Sequence, residues 1–152
     1  MIEESTLNET LLVGFASLGI LRGVIETVIP ELHLSQQGDT PQSIVDQLMI
    51  NSSHMHTLYR SAQAYLYRCA RDLDQKHIHL QDAYSAYLHA VTSAVQGVKI
   101  GLDVLGPQAY LSEHTVSRMM RDSLFFERGL YHPESIKMQI TETLLGSSSE
   151  VR

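Results

Sequence analysis

The chain of 152 residues carries a formal charge of −6, is 43% hydrophobic and 18% charged, and contains one cysteine. This length suits a single domain able to bury about two-thirds of its unfolded surface, and this composition excludes a disordered chain. The acidic balance argues against non-specific nucleic-acid binding, and a lone Cys69 excludes an intrachain disulfide framework and fits a reducing, cytoplasmic setting.

The periodicity predicts helices in chain order. Thr6-Leu7-Asn8-Glu9 has capping-box spacing, so a first helix is expected to begin there. Leu11, Leu12, Phe15, Leu18, Ile25 and Val28 then recur at steps of three and four, and Pro30 is expected to end the helix. Arg22 and Glu26 interrupt the apolar run before it reaches the roughly 20 residues of a membrane span. The N-terminus is acidic where a signal peptide needs positive charge, so neither export nor a membrane span is expected.

Ser35 to Asp39 reads as a polar connector with a turn-permissive glycine, and Thr40-Pro41 as N-cap and first position of a second helix. That helix runs to about Leu73, with Ile44, Val45, Leu48, Met49, Met55, Tyr59, Ala62 and Leu66 on its apolar face. A third helix carries Ala83, Ala86, Tyr87, Ala90, Val91, Ala94, Val95, Val98 and Leu102, small enough for close packing against a neighbour. Gly106-Pro107 stops it, a fourth helix spans about Ser112 to Phe126, and a fifth runs from Pro133 to Gly146. The expected fold is an all-α, up-and-down four-helix bundle with a short extra C-terminal helix. Residues 1–146 form its one domain, and 147–152 a disordered tail.

Eight histidines raise the question of metal. The pairs His54/His56 and His77/His79 are two apart, which on a helix points them about 200° apart. No one-face His-x-x-x-His or Glu-x-x-His spacing is present, so exposed or capping histidines are expected and no metal site is assigned. Cys69 lies between Arg68 and Arg71, which would favour a thiolate if they shared its face; at Leu66 and Leu73 spacings it reads as buried and inert.

The run from Gly97 to Asp122 is the most informative. A helix ends in a glycine turn, followed by a tyrosine, a glutamate, an arginine and an Arg-Asp pair. Gly106, Tyr110, Glu113, Arg118, Arg121 and Asp122 hold these places. This pattern resembles the C-terminal helical domain of acyl-CoA dehydrogenases. Gly14, Gly19 and Gly23 resemble that domain's first helix, Gln36-Gln37-Gly38 falls at its Arg-x-Gln-Phe-Gly motif, and Leu144-Leu145 resembles its last helix. The resemblance implies an FAD-dependent oxidoreductase ancestry, with Gln36 and Gly106 as cofactor contacts and the bundle as a dimer- or tetramer-forming element.

The departures from the pattern matter as much. The resemblance puts Leu130-Tyr131-His132 where the family has its catalytic glutamate, and leucine removes no proton. Glu127 and Glu134 lie nearby and are the candidate bases. Leu34 stands at the arginine that reaches the flavin diphosphate in the family. Asp103 replaces a usual glutamine, and Pro107 and Ala109 replace glycines. The resemblance also implies that flavin and acyl chain lie between this bundle and preceding helical and β domains, which this sequence does not contain. Two functions are therefore expected as alternatives. One is a non-catalytic module acting through self-association or a partner, without flavin of its own. The other is one part of a split or hetero-oligomeric acyl-CoA dehydrogenase, in which a flavin-binding subunit supplies FAD.

Overall fold

The computed structural model describes residues 2–128 and 133–147, with side chains from 5 to 128 and from 133 to 146. Helices α1 (Ile2–Gln37), α2 (Gln42–Asp74), α3 (Leu80–Leu105), α4 (Thr115–Arg128) and α5 (Pro133–Ser147) follow one another, with a short 3-10 turn, Pro107–Tyr110, before α4. No strand occurs among the described residues. The all-α bundle expected from the periodicity is the observed fold.

Pairing of side chains fixes the directions. Gly14 of α1 faces Leu66 of α2, while Val24 and Val28 share a cluster with Met55, so α1 and α2 are antiparallel. Leu21 packs on Gly97 and Val24 on Gly101, so α1 and α3 run the same way. Met119 of α4 reaches Gly23, Val116 lies by Gly101, and Tyr87 meets Phe126, turning α4 back along α3. Helix α5 continues past the start of α3; among its described side chains only Ile136 is buried, against Tyr84, Tyr87 and Val91.

The small-residue face of α3 is the centre of the bundle. Ala83, Ala86, Ala90 and Ala94 are buried, as the spacing predicts, and Gly97 and Gly101 extend the same face. A Cβ at Gly97 would strike the Leu21 side chain, and one at Gly101 would strike Val24 Cγ1, with Val28 Cγ2 at 3.7 Å and Val116 Cγ1 at 3.8 Å. The two backbones therefore approach more closely than any side chain permits.

Four local expectations are corrected. Helix α1 begins at Ile2 rather than at a Thr6 cap; Glu9 accepts from Ser5 Oγ at 3.3 Å, and Thr6 O accepts from Thr10 Oγ1 at 2.7 Å. Pro30 does not end α1, which continues through it to Gln37. Pro30 and Glu26 are both exposed, so water can satisfy the carbonyl that loses its amide partner. At the start of α2, Pro41 rather than Thr40 is the N-cap, with ψ at 136° and no side-chain cap bond. Helix α4 begins at Thr115 rather than Ser112, because the 3-10 turn and a bend occupy the residues before it.

The core is also narrower than expected in the first two helices. Leu12, Ile44 and Met49 are exposed, whereas Leu7, Leu21 and Val24 are buried. Past Val28, the end of α1 and the start of α2 form a hairpin with Ile29, Leu34, Ile44, Met49 and Ile50 exposed. By length and composition, Ser5–Gln37 is apolar enough to cross a membrane; in this fold its stripe of Leu7, Leu11, Leu18, Leu21, Val24 and Val28 is bundle core.

Two glycines in α-helix interiors should respond oppositely to alanine. Gly19 has open space where a Cβ would sit, so Gly19→Ala is expected to stabilise by about 0.5–1 kcal/mol through reduced chain entropy. Gly101→Ala meets Val24, whose branched side chain is stiff at χ1, and is expected to destabilise by about 1–2 kcal/mol despite better helix propensity. Paired thermal melts check both; a shift of the same sign for the two variants contradicts the packing described.

Candidate functional site

The corner after α3 is built from the Gly106-Pro107 stop. Gly106 takes φ 78°, a left-handed conformation that favours glycine, while its N–H donates to Leu102 O at 3.0 Å. Pro107 then starts the 3-10 turn, whose Ala109 is fully buried and anchors the corner to the core. The turn swings Tyr110 back so that its hydroxyl donates to Asp103 Oδ1 at 3.0 Å. That bond to the carboxylate raises the Tyr110 phenol above its usual range.

The following bend is tied to α4. His114 Nδ1 accepts the Val116 N–H at 3.2 Å, capping the helix start. Arg121 donates from Nη2 to Ser112 O at 3.3 Å and from Nη1 to Ser117 Oγ at 3.4 Å. Tyr110 and Arg121 thus serve the shape of the corner. Glu113, Arg118 and Asp122 are exposed along it.

Two open depressions flank this corner. One of about 460 Å³ is lined by Leu102, Asp103, Gly106, Pro107 and Tyr110. The other, of about 550 Å³, is lined by Gln108, Leu111, Ser112, Glu113 and His114. Each contains a carboxylate, and neither is lined by lysine or arginine, which is the opposite of what a diphosphate needs. Gln36 is exposed in the last turn of α1, at the same end of the bundle as Gly106 because α1 and α3 are parallel. Leu34, two residues earlier, is 64% exposed and offers a diphosphate no charge. The residues present at both places therefore do not suit a flavin diphosphate.

The two candidate bases fall on either side of residues 129–132. Glu127 is half-buried in the last turn of α4 and Glu134 is exposed in the first turn of α5. Leu130, Tyr131 and His132 lie outside the described residues, as does the tail from 148 onward. The approach to this segment is fixed by Tyr87, fully buried on α3, whose hydroxyl donates to Phe126 O at 2.8 Å.

Among the described residues, no three His, Cys, Asp or Glu side chains gather as a metal would require. His54, His56, His77 and His79 are exposed, and half-buried His89 meets Ser61 Oγ at 3.0 Å through Nε2. Cys69 is fully buried and its Sγ lies 3.6 Å from Asp82 O. Burial pushes its thiol pKa from 9.0 up to about 11, against the opposing pull of Arg68.

Comparison with known proteins settles which family this corner belongs to. The family model described as acyl-CoA dehydrogenase, C-terminal domain, matches residues 1–143. The chain belongs to that family. It is 26% identical over 121 residues to isovaleryl-CoA dehydrogenase, mitochondrial, of Arabidopsis thaliana, covering 80% of this chain and 30% of that protein. It is likewise 26% identical over 136 residues to the Solanum tuberosum enzyme of the same name, covering 90% and 33%. An acyl-CoA dehydrogenase structure from Slackia heliotrinireducens superposes with a TM-score of 0.85 at 13% identity, covering 98% of this chain and 39% of that one. A nitroalkane oxidase structure superposes at 0.78 and 13% identity, covering 95% and 35%. The chain thus spans about a third of the length of the relatives it matches.

Sequence reasoning missed the Tyr87 tie, the Tyr110–Asp103 pair and the His114 cap. Tyr87 carried only a core signal, since the carbonyl it meets is far along the chain. Tyr87→Phe is expected to cost about 1–3 kcal/mol by stranding the Phe126 carbonyl, measured by urea denaturation; an unchanged midpoint would mean the carbonyl has another partner. Cys69 should resist thiol reagents at neutral pH in the folded chain and react promptly in denaturant. The unfolded thiol ionises near 9.0 and the folded one near 11, so the fold loses stability as pH rises between these values, with the native state then binding the extra proton. An alkaline stability titration of wild type beside Cys69→Ala measures that loss.

Proposed function

We propose that this chain is a helical association module of the acyl-CoA dehydrogenase C-terminal domain family, without flavin or catalysis of its own. The observation that carries this reading is the acidic, cation-free lining of the Gly106 corner together with Leu34 exposed at the end of α1. A diphosphate there would lie beside the Asp103 carboxylate, with no lysine or arginine in the lining to offset the repulsion. The α1–α2 hairpin supports association: Ile29, Leu34, Ile44, Met49 and Ile50 are apolar residues exposed on its last and first turns. Its partner is a second copy, giving a dimer or tetramer, or an acyl-CoA dehydrogenase-like subunit. The setting is a reducing one such as the cytoplasm, consistent with a single unpaired thiol.

A second reading rests on the share of the relatives that is matched. Covering about a third of proteins named as acyl-CoA dehydrogenases, the chain is one part of a split oxidoreductase acting on acyl thioesters. In that assembly FAD comes with the partner subunit, and Glu127 or Glu134 removes the α-proton.

The two readings separate by visible absorbance and mass. The purified chain is expected to be colourless and to run as a dimer or larger by light scattering, with Leu34→Ser and Ile50→Ser together shifting it to monomer. A stoichiometric yellow flavin in the chain alone overturns the first reading. Acyl-CoA-dependent reduction of an electron acceptor on co-expression with a flavin-binding subunit, lost in Glu127→Gln or Glu134→Gln, establishes the second.

A further inference from the structure

Helix α2 packs on α1 and α3, and its opposite face is bare from Asp46 to Arg71. Along that face, exposed residues recur at alternating steps of four and three, the repeat that lets two helices lie along one another. The stripe is complementary to its own reverse. Its ends, Asp46 and Arg71, carry opposite charges. Next inward come two large apolar residues, Ile50 at 62% and Tyr67 at 59% exposure. Ser53 and Ala64, both small, follow, and Thr57 and Arg60 stand at the middle. Among the described residues, neither Asp46 nor Arg71 belongs to an ion pair within the chain. The charge of α2 is divided in the same sense. Asp46 is the one Asp, Glu, Lys or Arg between 42 and 59, whereas 60–76 holds Arg60, Arg68, Arg71 and Lys76 against Asp72 and Asp74.

We propose that this face of α2 is the contact between two copies of the chain, paired antiparallel about a two-fold axis level with residues 58 and 59. The pairing rests on the association proposed above and names the face that makes it. Asp46 of each copy then meets Arg71 of the other, Ile50 meets Tyr67, Ser53 meets Ala64, and Thr57 meets Arg60. A parallel pair would instead set Asp46 against Asp46 and Arg71 against Arg71. Antiparallel helix dipoles attract, and the small Ser53 and Ala64 pair lets the backbones come near. Tyr67 is already held, its ring edge-on to Phe15 at 5.4 Å, so covering it orders little that was free. Thr57 donates its hydroxyl to Ser53 O at 3.0 Å, so covering it strands no donor. Arg60 donates from Nη1 to Gln63 Oε1 at 2.8 Å, which draws its charge along its own helix and away from the axis. The net charge of −6 opposes association at long range, but salt screens that repulsion beyond about 8 Å, whereas the paired ends are in contact.

Charge reversal in the full chain tests the register. Asp46→Arg and Arg71→Asp each place two like-charged pairs in the contact, and each is expected to weaken self-association about tenfold or more by sedimentation equilibrium. The two substitutions together are expected to restore it to within about threefold of wild type. Both positions are exposed, so the variants keep the fold, which circular dichroism checks. A second measurement reads proximity. When the Ser53→Cys chain is mixed and exchanged with the Ala64→Cys chain, a short bis-maleimide is expected to link one to the other. Neither chain alone should cross-link, because residue 53 lies about 16 Å from its own copy along the helices and Cys69 is buried. A chain that stays monomeric at about 100 μM overturns this pairing and the association reading together. A dimer that lacks either the charge rescue or the mixed cross-link overturns the pairing alone and leaves association to another face.

Discussion

The bundle depends on how closely α1 and α3 approach. At Gly97 and Gly101 the α3 backbone lies where a side chain would otherwise stand, and Leu21 and Val24 of α1 fill that space. Every other helix takes its place from this pair. Met55 of α2 and Val116 of α4 both close on the Val24, Val28, Val98 and Leu102 cluster from outside. Gly106 then releases α3 into the corner that α4 follows. Widening the central pair by one methyl group would disturb both faces at once, because the packed interior has no free volume to absorb it.

The same scaffold holds the corner after α3 through the chain's own side chains. Its shape rests on Gly106, buried Ala109, the Tyr110–Asp103 bond and the Arg121 tie, all contacts internal to the chain. None of these requires a bound phosphate. Around it, Leu34 is exposed, and Asp103 and Pro107 line an open depression that holds no lysine or arginine.

Reading the sequence succeeded where one physical effect dominates. The small-residue stripe of α3 was legible because its alanines recur at helical spacing, and Gly106-Pro107 because both residues restrict the backbone. It failed where a local rule met a longer context. Pro30 breaks an isolated helix, yet α1 continues past it with that stretch open to solvent. Thr6 and Glu9 have a capping spacing that also suits a helix interior, where Ser5 reaches Glu9 instead. Ile44 and Met49 share the period of a buried face but are exposed, although Val45 between them is buried. The corner motif was visible as a pattern, whereas the Tyr110 partner and the Tyr87 tie depend on residues brought together only by the fold.

The parallel pairing of α1 with α3 also bears on the order of assembly. Its closest contacts join Leu21 to Gly97 and Val24 to Gly101, with the whole of α2 between them in sequence. The α1–α2 and α2–α3 hairpins close short loops, but the central contact must wait for a long one. Residues that seal the core are therefore expected to be late arrivals, and a nascent chain carries an unfinished α1 face until α3 has been made.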